Sequence, residues 1–380
     1  MSKSIYLDYA AATPMDPRVL AAMQPYFVDN FYNPSATYLA ARRVADDLKS
    51  ARATVASVLG ARPSEIIFTA GGTEANNLAI HGVMAQYPEA NMVVSAIEHD
   101  SVLAPGSRYD VRQAPVASSG IVDTAALSKL IDDQTVLVSV MYANNEIGTV
   151  QPVREIAQML DEIHRQRRHS DNVLPLLFHT DAAQAANYLD LHAARLGVDL
   201  LTLNGGKIYG PKQSGVLYVK AGLSLQPLVD GGGQEQGLRS GTENVPAAIG
   251  FATALELAQA MRHDEVSRLQ RLQKQLIEEI IQAVPTAQLN GSKSKRLPNN
   301  VHLTFPGVDN ERLLIQLDEL GILAAAGSAC SASSEEPSHV LHALGLSDEV
   351  AQNSVRFTLG RATTDHDITT VVQTLTQLLA

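Results

Sequence analysis

Short apolar runs alternate with stretches of helical periodicity along the first two thirds of the chain. Residues 36–59, 124–133 and 153–168 place apolar side chains three and four positions apart, the period of an amphipathic helix. The short apolar runs that we interpret as strands are residues 64–70, 91–96, 136–142, 174–178 and 200–203. Apolar strands that alternate with helices predict a mostly parallel sheet, buried on both faces and connected by right-handed crossovers.

The last third of the chain follows a different pattern. After the glycine-rich segment 231–242, residues 246–284 form one nearly continuous helical pattern. The strands and helices predicted beyond it are residues 301–305, 310–320, 338–344, 355–359 and 365–379. We therefore expect an α/β fold. Its large domain comprises residues 16–250, and a smaller α+β domain comprises residues 1–15 and 251–380.

Polar residues follow the predicted strands at the points where the strands end. His99, Asn145, Asp181 and Lys207 each come a few residues after one of the apolar runs. The carboxyl ends of parallel strands share one edge of a sheet, and ligands of such folds bind beyond that edge. The sequence therefore predicts that these four residues converge on a single site.

A glycine turn joins the first of these strands to a helix. Gly71, Gly72 and Thr73 lie between the apolar run 64–70 and a helical stretch that begins near Leu78. Free N–H groups and the positive end of the helix dipole at such a turn can bind a phosphate. Thr73 could equally be an ordinary helix N-cap, so the glycine turn alone leaves both interpretations open.

Lys207 lies where a buried strand gives way to a glycine-rich loop. A partly desolvated lysine can bond covalently to an aldehyde carbon, although a solvated lysine in a surface turn is the simpler interpretation. Asp181 could pair with a protonated ring nitrogen or cap a strand end, and His99 could stack on a ring and move protons or be half-buried without a function. Together with the phosphate turn, these residues predict pyridoxal 5'-phosphate as cofactor.

Composition narrows the class of protein. The chain has 380 residues, a net charge of −11 and 45% hydrophobic residues, as expected of a soluble protein with a sizeable core. The acidic balance argues against direct nucleic-acid binding. We find no run of 18 apolar residues and no signal-peptide core, so we expect a cytoplasmic protein without membrane segments. Cys330 is the single cysteine and excludes an internal disulfide.

The resemblance to one family covers nearly the whole chain. The sequence resembles the cysteine desulfurases of the NifS/IscS type, which belong to the fold type I pyridoxal-phosphate enzymes and are class V aminotransferase-like. The segment from Cys330 to Ser338 resembles the longer loop of group I of that family. The stretches that carry the resemblance are residues 6–14, 71–77, 98–99, 144–148, 180–184, 207–212, 239–242, 327–330 and 354–360.

The resemblance implies roles at the cofactor. Lys207 would hold its aldehyde carbon and take the substrate α-proton, while Asp181 would pair with the ring nitrogen. Gln184 would bind the ring hydroxyl, and His99 would stack on the ring as an acid/base. The residues implied to bind the phosphate are Gly72, Thr73, Asn204 and, from the neighbouring subunit of a homodimer, Thr242.

The resemblance also implies how L-cysteine would react. Asn145 and Arg356 would position the substrate, with Arg356 binding its carboxylate. Cys330 would be the nucleophile that takes the sulfur as a persulfide and leaves L-alanine. The sulfur would then pass to an acceptor protein, such as an iron–sulfur scaffold or another sulfur carrier, for iron–sulfur clusters or thiolated biomolecules. The resemblance assigns no metal ligand.

Two positions depart from the family pattern, and three other functions stay open. The family places Ser-x-His directly before the lysine, where this chain has Asn204 and Gly206. Asn204 can still donate a hydrogen bond to a phosphate, whereas Gly206 offers only its backbone N–H. The alternatives are a selenocysteine lyase, an aminotransferase that does not use Cys330, and a non-catalytic sulfur-transfer scaffold.

Overall fold

The residues that the structure describes form an α/β fold with one large and two small sheets. The computed structural model describes residues 4–169, 172–327 and 338–379. The strands are β1 (Ile5–Tyr6), β2 (Ile66–Thr69), β3 (Asn91–Ser95), β4 (Asp110–Ala114), β5 (Thr135–Ser139), β6 (Leu177–Asp181), β7 (Leu200–Asn204), β8 (Gly215–Val219), β9 (Gln288–Leu289), β10 (Asn300–Thr304), β11 (Ile322–Leu323) and β12 (Ser354–Thr358).

Helices connect these strands and cover the large sheet. They are α1 (Pro17–Met23), α2 (Pro25–Val28), α3 (Leu39–Leu59), α4 (Gly72–Met84), α5 (Asp100–Gly106), α6 (Thr124–Leu130), α7 (Val153–His169), α8 (Ala193–Leu196), α9 (Val245–Ala283), α10 (Asn310–Glu319), α11 (His339–Ala343), α12 (Asp348–Gln352) and α13 (Asp365–Leu379). Among the described helices, none is both long and apolar enough to cross a membrane.

The large sheet has seven strands in the order β2-β8-β7-β6-β5-β3-β4. The neighbours from β7 to β4 pair in parallel, whereas β8 runs antiparallel to both β2 and β7. The predicted mostly parallel sheet is thus confirmed. Strands β4 and β8 were not predicted from the sequence. The antiparallel direction of β8 has a simple cause, because the short connection after β7 holds no crossover helix.

Successive residues of the central strands enter two different cores. Val93, Val138 and Phe178 face a core that also contains side chains from α3, α7 and the first half of α9. Their neighbours Val94 and Leu137 face a second core on the opposite side, together with side chains of α4 and α5. Burial on both faces explains why these strands appeared in the sequence as continuous apolar runs rather than as alternating ones.

The second part of the chain has a core of its own. The sheet β12-β10-β9 is antiparallel and packs against α10, α13 and the second half of α9. Phe251 of α9 lies in the core of the large sheet, whereas Leu272 and Leu276 of the same helix lie in the smaller core. The helix therefore joins the two cores, and the domain boundary at residue 250 stays a prediction.

Helix α3 begins three residues later than the periodicity predicted. The side chain of Asn33 accepts a hydrogen bond from the backbone N–H of Ser35 at 2.9 Å, and Ala36 donates to the Asn33 carbonyl at 3.1 Å. These residues form a local turn, so the first helical residue is Leu39 instead of residue 36. The helix ends as predicted, at Gly60 in the left-handed conformation (φ 60°).

Candidate active site

The carboxyl ends of β3, β5, β6 and β7 meet at one cavity. It contains every residue that sequence analysis assigned to the cofactor or the substrate, apart from Thr242 and Cys330. The residues that line the cavity are Ala10, Ala11, Gly72, Thr73, His99, Ser101, Met141, Ala143, Asn145, Asp181, Ala183, Gln184, Asn204, Lys207 and Arg356. The residues predicted to converge at one edge of the sheet therefore lie together there in the structure.

Lys207 lies at the end of a short 3-10 helix, Gly205–Lys207, directly after β7. Its Nζ atom donates to the carbonyl oxygens of Ala10 at 2.7 Å and Ala11 at 2.5 Å. The side chain of Asn187 donates to the Lys207 carbonyl at 2.7 Å and fixes the backbone from the other side. Lys207 is therefore held inside the cavity and is not the surface lysine of the simpler interpretation.

The turn that receives Lys207 is itself held by side chains. The Tyr6 hydroxyl donates to the carbonyls of Asp8 at 2.8 Å and Ala12 at 2.9 Å, and Gln184 donates from Nε2 to the Ala10 carbonyl at 3.0 Å. Burial raises the pKa of Tyr6 to about 12, so the hydroxyl keeps its proton near neutral pH. The N-terminal turn is thus a fixed wall of the cavity.

Asp181 ends β6 and is 7% exposed. Its Oδ1 atom accepts from the backbone N–H of Ala183 at 2.9 Å, and its Oδ2 atom accepts from Nδ2 of Asn76 at 2.7 Å. Nearby Glu98 is completely buried, and burial raises the pKa of its carboxyl group well above the ordinary value. Burial therefore disfavours a second negative charge beside Asp181.

His99 is the N-cap of α5, and this position orients its ring. The Nδ1 atom accepts a hydrogen bond from the backbone N–H of Ser101 at 3.0 Å and lies 2.8 Å from the Ser101 hydroxyl. An atom that accepts from an N–H group carries no proton of its own. In the neutral ring the proton is therefore on Nε2.

The predicted phosphate site lies at the start of α4. Gly71, at φ 139°, turns the chain into the helix, whose first N–H groups have no intrahelical partner. Asn204 uses its Oδ1 atom to accept the backbone N–H of Gly206 at 3.1 Å. That N–H is consequently engaged, and the Nδ2 atom of Asn204 is the donor that remains for a ligand. Thr73 lines the same cavity and is exposed.

Arg356 lies on β12 and is 1% exposed. Its Nη2 atom forms a 2.6 Å ion pair with Oδ1 of Asp8, and its Nη1 atom donates to the Asn145 carbonyl at 3.0 Å. The buried Nε atom has no hydrogen-bond partner among the described residues. Because a buried N–H without a partner is unfavourable, this atom indicates a ligand acceptor, and a carboxylate is the acceptor that matches the guanidinium fork.

Two predicted site residues are not part of this cavity. Thr242 is exposed on the segment before α9 and does not line it, and its role in a neighbouring subunit stays a prediction. Cys330 lies outside the described residues.

Three polar residues that support the site were not predicted from the sequence. Asp8 pairs with Arg356, whereas Asn76 and Ser101 connect Asp181 to His99. Asp8 and Asn76 lie inside stretches that carry the family resemblance, and Ser101 lies two residues after another. The signal that could have identified Asn76 is its position three residues after Thr73. A helix that begins at the glycine turn first directs a side chain toward the protein interior there.

Comparisons with known proteins identify the family of the chain. Residues 5–371 match the family described as Aminotransferase class-V. The chain is 39% identical to a cysteine desulfurase IscS of Dictyoglomus turgidum over 386 residues, which covers 100% of this chain and 95% of that protein. A solved NifS-like protein superposes with a TM-score of 0.91 at 30% identity and 99% coverage of both chains. The structure of SspA in complex with cysteine superposes with a TM-score of 0.80 at 36% identity, and the match covers 94% of this chain and 99% of that one.

The residues of the cavity fit pyridoxal phosphate. Lys207 would supply an amine, Asp181 would accept a hydrogen bond from the ring nitrogen, and the start of α4 would offer N–H groups to the phosphate. The unpartnered Nε atom of Arg356 would donate to a substrate carboxylate. From this site and these similarities, the chain belongs to the aminotransferase class-V family and, within it, to the pyridoxal-phosphate-dependent cysteine desulfurases of the IscS type.

Proposed function

We propose that this protein converts L-cysteine to L-alanine and takes the released sulfur onto Cys330 as a persulfide. The observation that carries the proposal is one cavity that combines the amine of Lys207, the carboxylate of Asp181 and the unpartnered Nε–H of Arg356. The similarity to SspA, whose structure contains cysteine, supports L-cysteine as the substrate.

Arg356 and Asn145 bind the substrate in this proposal. A guanidinium group has five N–H donors, and the ion pair with Asp8 and the bond to the Asn145 carbonyl use one on each terminal nitrogen. Nε–H and a neighbouring Nη–H remain for the two oxygens of a carboxylate. The side-chain amide of Asn145 has no partner among the described residues and is available to the same substrate.

Lys207 and His99 move protons. Bound pyridoxal phosphate withdraws electrons from the substrate, so that the Cα–H bond and then the Cβ–S bond can break. Lys207 takes the α-proton at Nζ, close to where the carbonyls of Ala10 and Ala11 now hold it. His99 carries a proton on Nε2 while Ser101 occupies Nδ1, so Nε2 is the atom at which it donates a proton.

Cys330 accepts the sulfur. Its thiolate attacks the substrate sulfur, a new S–S bond forms and the Cβ–S bond breaks. The bonding pair stays on carbon, which takes a proton and becomes the methyl group of alanine. A free thiol has a pKa of about 8.5, so the reaction needs an environment that favours the thiolate.

The chain on both sides of the segment 328–337 is fixed beside the cavity, which supports this role of Cys330. Ala325 pairs with the Arg356 backbone, through N–H···O distances of 2.6 and 3.2 Å. Ser338 donates from its hydroxyl to the Glu146 carboxylate at 2.6 Å, next to Asn145. His339 contacts the Glu98 carbonyl at 2.9 Å, next to His99.

The proposal includes a homodimer and an acceptor for the persulfide sulfur. Thr242 would reach the phosphate in the neighbouring subunit. The exposed apolar side chains Phe27 (58%), Phe31 (66%) and Leu39 (72%) support an interface between subunits. We propose a cytoplasmic sulfur-carrier or iron–sulfur scaffold protein as the acceptor.

The proposal is tested by absorbance and by product analysis. We expect the purified protein to show a visible cofactor band that Lys207→Ala removes. With L-cysteine, the wild type should release alanine and sulfide in equal amounts when a reductant is present. Cys330→Ser should keep the cofactor band and lose sulfide release by a factor of about a hundred or more.

Two results would contradict the proposal. Cysteine turnover by Cys330→Ser at the wild-type rate would remove the persulfide step and favour an aminotransferase. The absence of a cofactor band in the wild type, even with added pyridoxal phosphate, would favour a non-catalytic scaffold.

A further inference from the structure

Asn76 is completely buried in the first turns of α4, behind the wall of the cavity. Its Nδ2 atom donates to Oδ2 of Asp181 at 2.7 Å and to the hydroxyl oxygen of Ser101 at 2.8 Å. Ser101 in turn contacts Nδ1 of His99 at 2.8 Å. One amide group therefore connects the supports of Asp181 and His99, the two residues assigned to the cofactor ring.

The direction of these hydrogen bonds is determined at Asp181. An ionised carboxylate only accepts hydrogen bonds, so the nitrogen and not the oxygen of the Asn76 amide faces it. Because the same nitrogen donates to Ser101, the hydroxyl oxygen of Ser101 is an acceptor, and its hydrogen is available for Nδ1 of His99. The network is thus ordered from Asp181 to His99.

The other end of the Asn76 amide shows that the residue is kept for its donors. Its Oδ1 atom is buried and has no hydrogen-bond partner among the described residues. A buried acceptor without a partner destabilises the fold, and an apolar side chain of the same size would avoid that loss. The two N–H groups are therefore the reason for an asparagine at this position.

We propose that Asn76 is a positioning residue. It holds the Asp181 carboxylate toward the ring nitrogen and fixes the position of the Ser101–His99 pair relative to that carboxylate. The inference rests on the proposed roles of Asp181 and His99. Asn76 does not line the cavity, and it acts only through the groups that do.

The affinity for pyridoxal phosphate and its pH dependence test this inference. Asn76→Leu keeps the size of the side chain and removes both donors. We expect the Kd of pyridoxal phosphate, measured by absorbance titration, to rise about tenfold or more. We also expect kcat for L-cysteine to fall about tenfold to a hundredfold, with KM within about twofold of the wild type.

Asn76→Asp makes the test specific. A carboxyl group can donate to Asp181 only while it is protonated, and two adjacent carboxyl groups hold a shared proton up to a raised pKa. The Kd of this variant should therefore be at least about tenfold higher at about pH 9 than at about pH 6, beyond any change in the wild type. A merely structural role of Asn76 would not produce this dependence.

Asn310→Leu is the matched control. Asn310 begins α10, is buried, and donates from Nδ2 to the Ser354 carbonyl at 3.0 Å, outside the cavity. Its loss should lower thermal stability and leave the Kd and its pH dependence unchanged. A wild-type Kd and kcat in Asn76→Leu would overturn the inference. If Asn76→Leu does not fold, the inference would be overturned by a Kd of Asn76→Asp that depends on pH as the wild-type Kd does. Failure of the proposed function would instead appear in the wild type, as missing sulfide release.

Discussion

At the scale of single residues, Arg356 combines structural contacts with a proposed substrate-binding role in one buried side chain. The ion pair with Asp8 compensates its charge, and the contact with Asn145 orients the guanidinium plane. Its Nε–H remains unpartnered among the described residues. Asp8 thus neutralises the charge of the guanidinium group, and part of its fork remains for the proposed substrate carboxylate.

We predict that Arg356→Lys raises KM for L-cysteine about tenfold to a hundredfold, because a lysine keeps the charge and loses the fork. The Kd of pyridoxal phosphate, measured by absorbance titration, should stay near the wild-type value. Arg268→Lys is the control, since Arg268 uses its fork on Glu265 and on the Gly360 and Thr363 carbonyls. An unchanged KM in Arg356→Lys would contradict the assignment.

Gly206 offers a second prediction at the residue scale. A Cβ atom built there would lie 3.5 Å from Oδ1 of Asn204 and 3.7 Å from Cγ of Lys212, which are ordinary contacts. We therefore expect Gly206→His to fold and to lower the Kd of pyridoxal phosphate by about tenfold, because it would add a donor beside the predicted phosphate site. Gly206→Ala adds no donor and should leave the Kd unchanged. If Gly206→His and Gly206→Ala change the Kd equally, the effect comes from the backbone at residue 206 and not from a histidine donor.

At the scale of the element, β6 carries a buried histidine two residues before Asp181. His179 lies between Ser139, 2.8 Å from Nδ1, and Thr202, 3.1 Å from Nε2, and so connects β6 to its two neighbours. Burial lowers the pKa of His179 to about 4. The imidazole is therefore neutral in the folded protein at neutral pH.

This lowered pKa predicts loss of stability in acid. Above pH 6.5 the imidazole is neutral in the folded and in the unfolded protein, so His179 adds no pH dependence to the free energy of unfolding. Between pH 6.5 and about 4 the unfolded chain binds a proton that the folded protein does not. The free energy of unfolding should therefore fall as the pH falls, by about 3 kcal/mol in total from this residue.

The measurement is urea unfolding across that pH interval, for the wild type and for His179→Gln. The glutamine keeps polar atoms near Ser139 and Thr202 and does not titrate. We expect the wild type to lose more stability than the variant between about pH 6.5 and about pH 4. If the free energy of unfolding falls equally with pH in both proteins, His179 does not contribute to the loss of stability in acid.

At the scale of the whole molecule, one surface between α2 and α3 is strongly apolar. Phe27, Val28, Phe31, Tyr38 and Leu39 form this apolar surface, and each is more than half exposed. The ring of Tyr32 lies 4.6 Å from that of Phe31 and 5.9 Å from that of Tyr38, so it connects these two members. Exposed apolar side chains grouped in this way are typical of a protein interface.

We predict that Phe31→Asp, combined with Leu39→Asp, converts the proposed homodimer to monomers, because buried carboxylates would oppose association. Light scattering coupled to gel filtration should show the change in mass. The control is Val173→Asp, which changes a side chain that is 95% exposed outside the apolar surface. A dimer that persists in the double variant would place the interface elsewhere, and a monomeric wild type would remove the proposed role of Thr242.

The apolar strands and the residues that follow them could be predicted from the sequence. Continuous apolar runs such as residues 136–142 and 200–203 identify strands buried on both faces, and the order of parallel strands brings Asp181 and Lys207 to one edge. Strand β4 escaped prediction because its residues are mostly polar and partly exposed. The sequence resemblance then predicted the family and the cofactor, which the comparisons confirm.

The amino-acid sequence is enough to establish the alternation of elements, the residue types at the strand ends and the family. The groups that hold those residues in place are known only from the packed structure. The carbonyls that receive Lys207 are 196 and 197 positions away in sequence, and Asp8 is 348 positions from Arg356. The amide of Asn76 meets Asp181 across 105 positions. Periodicity and local propensity carry no information about such contacts, because they arise when separate elements pack together.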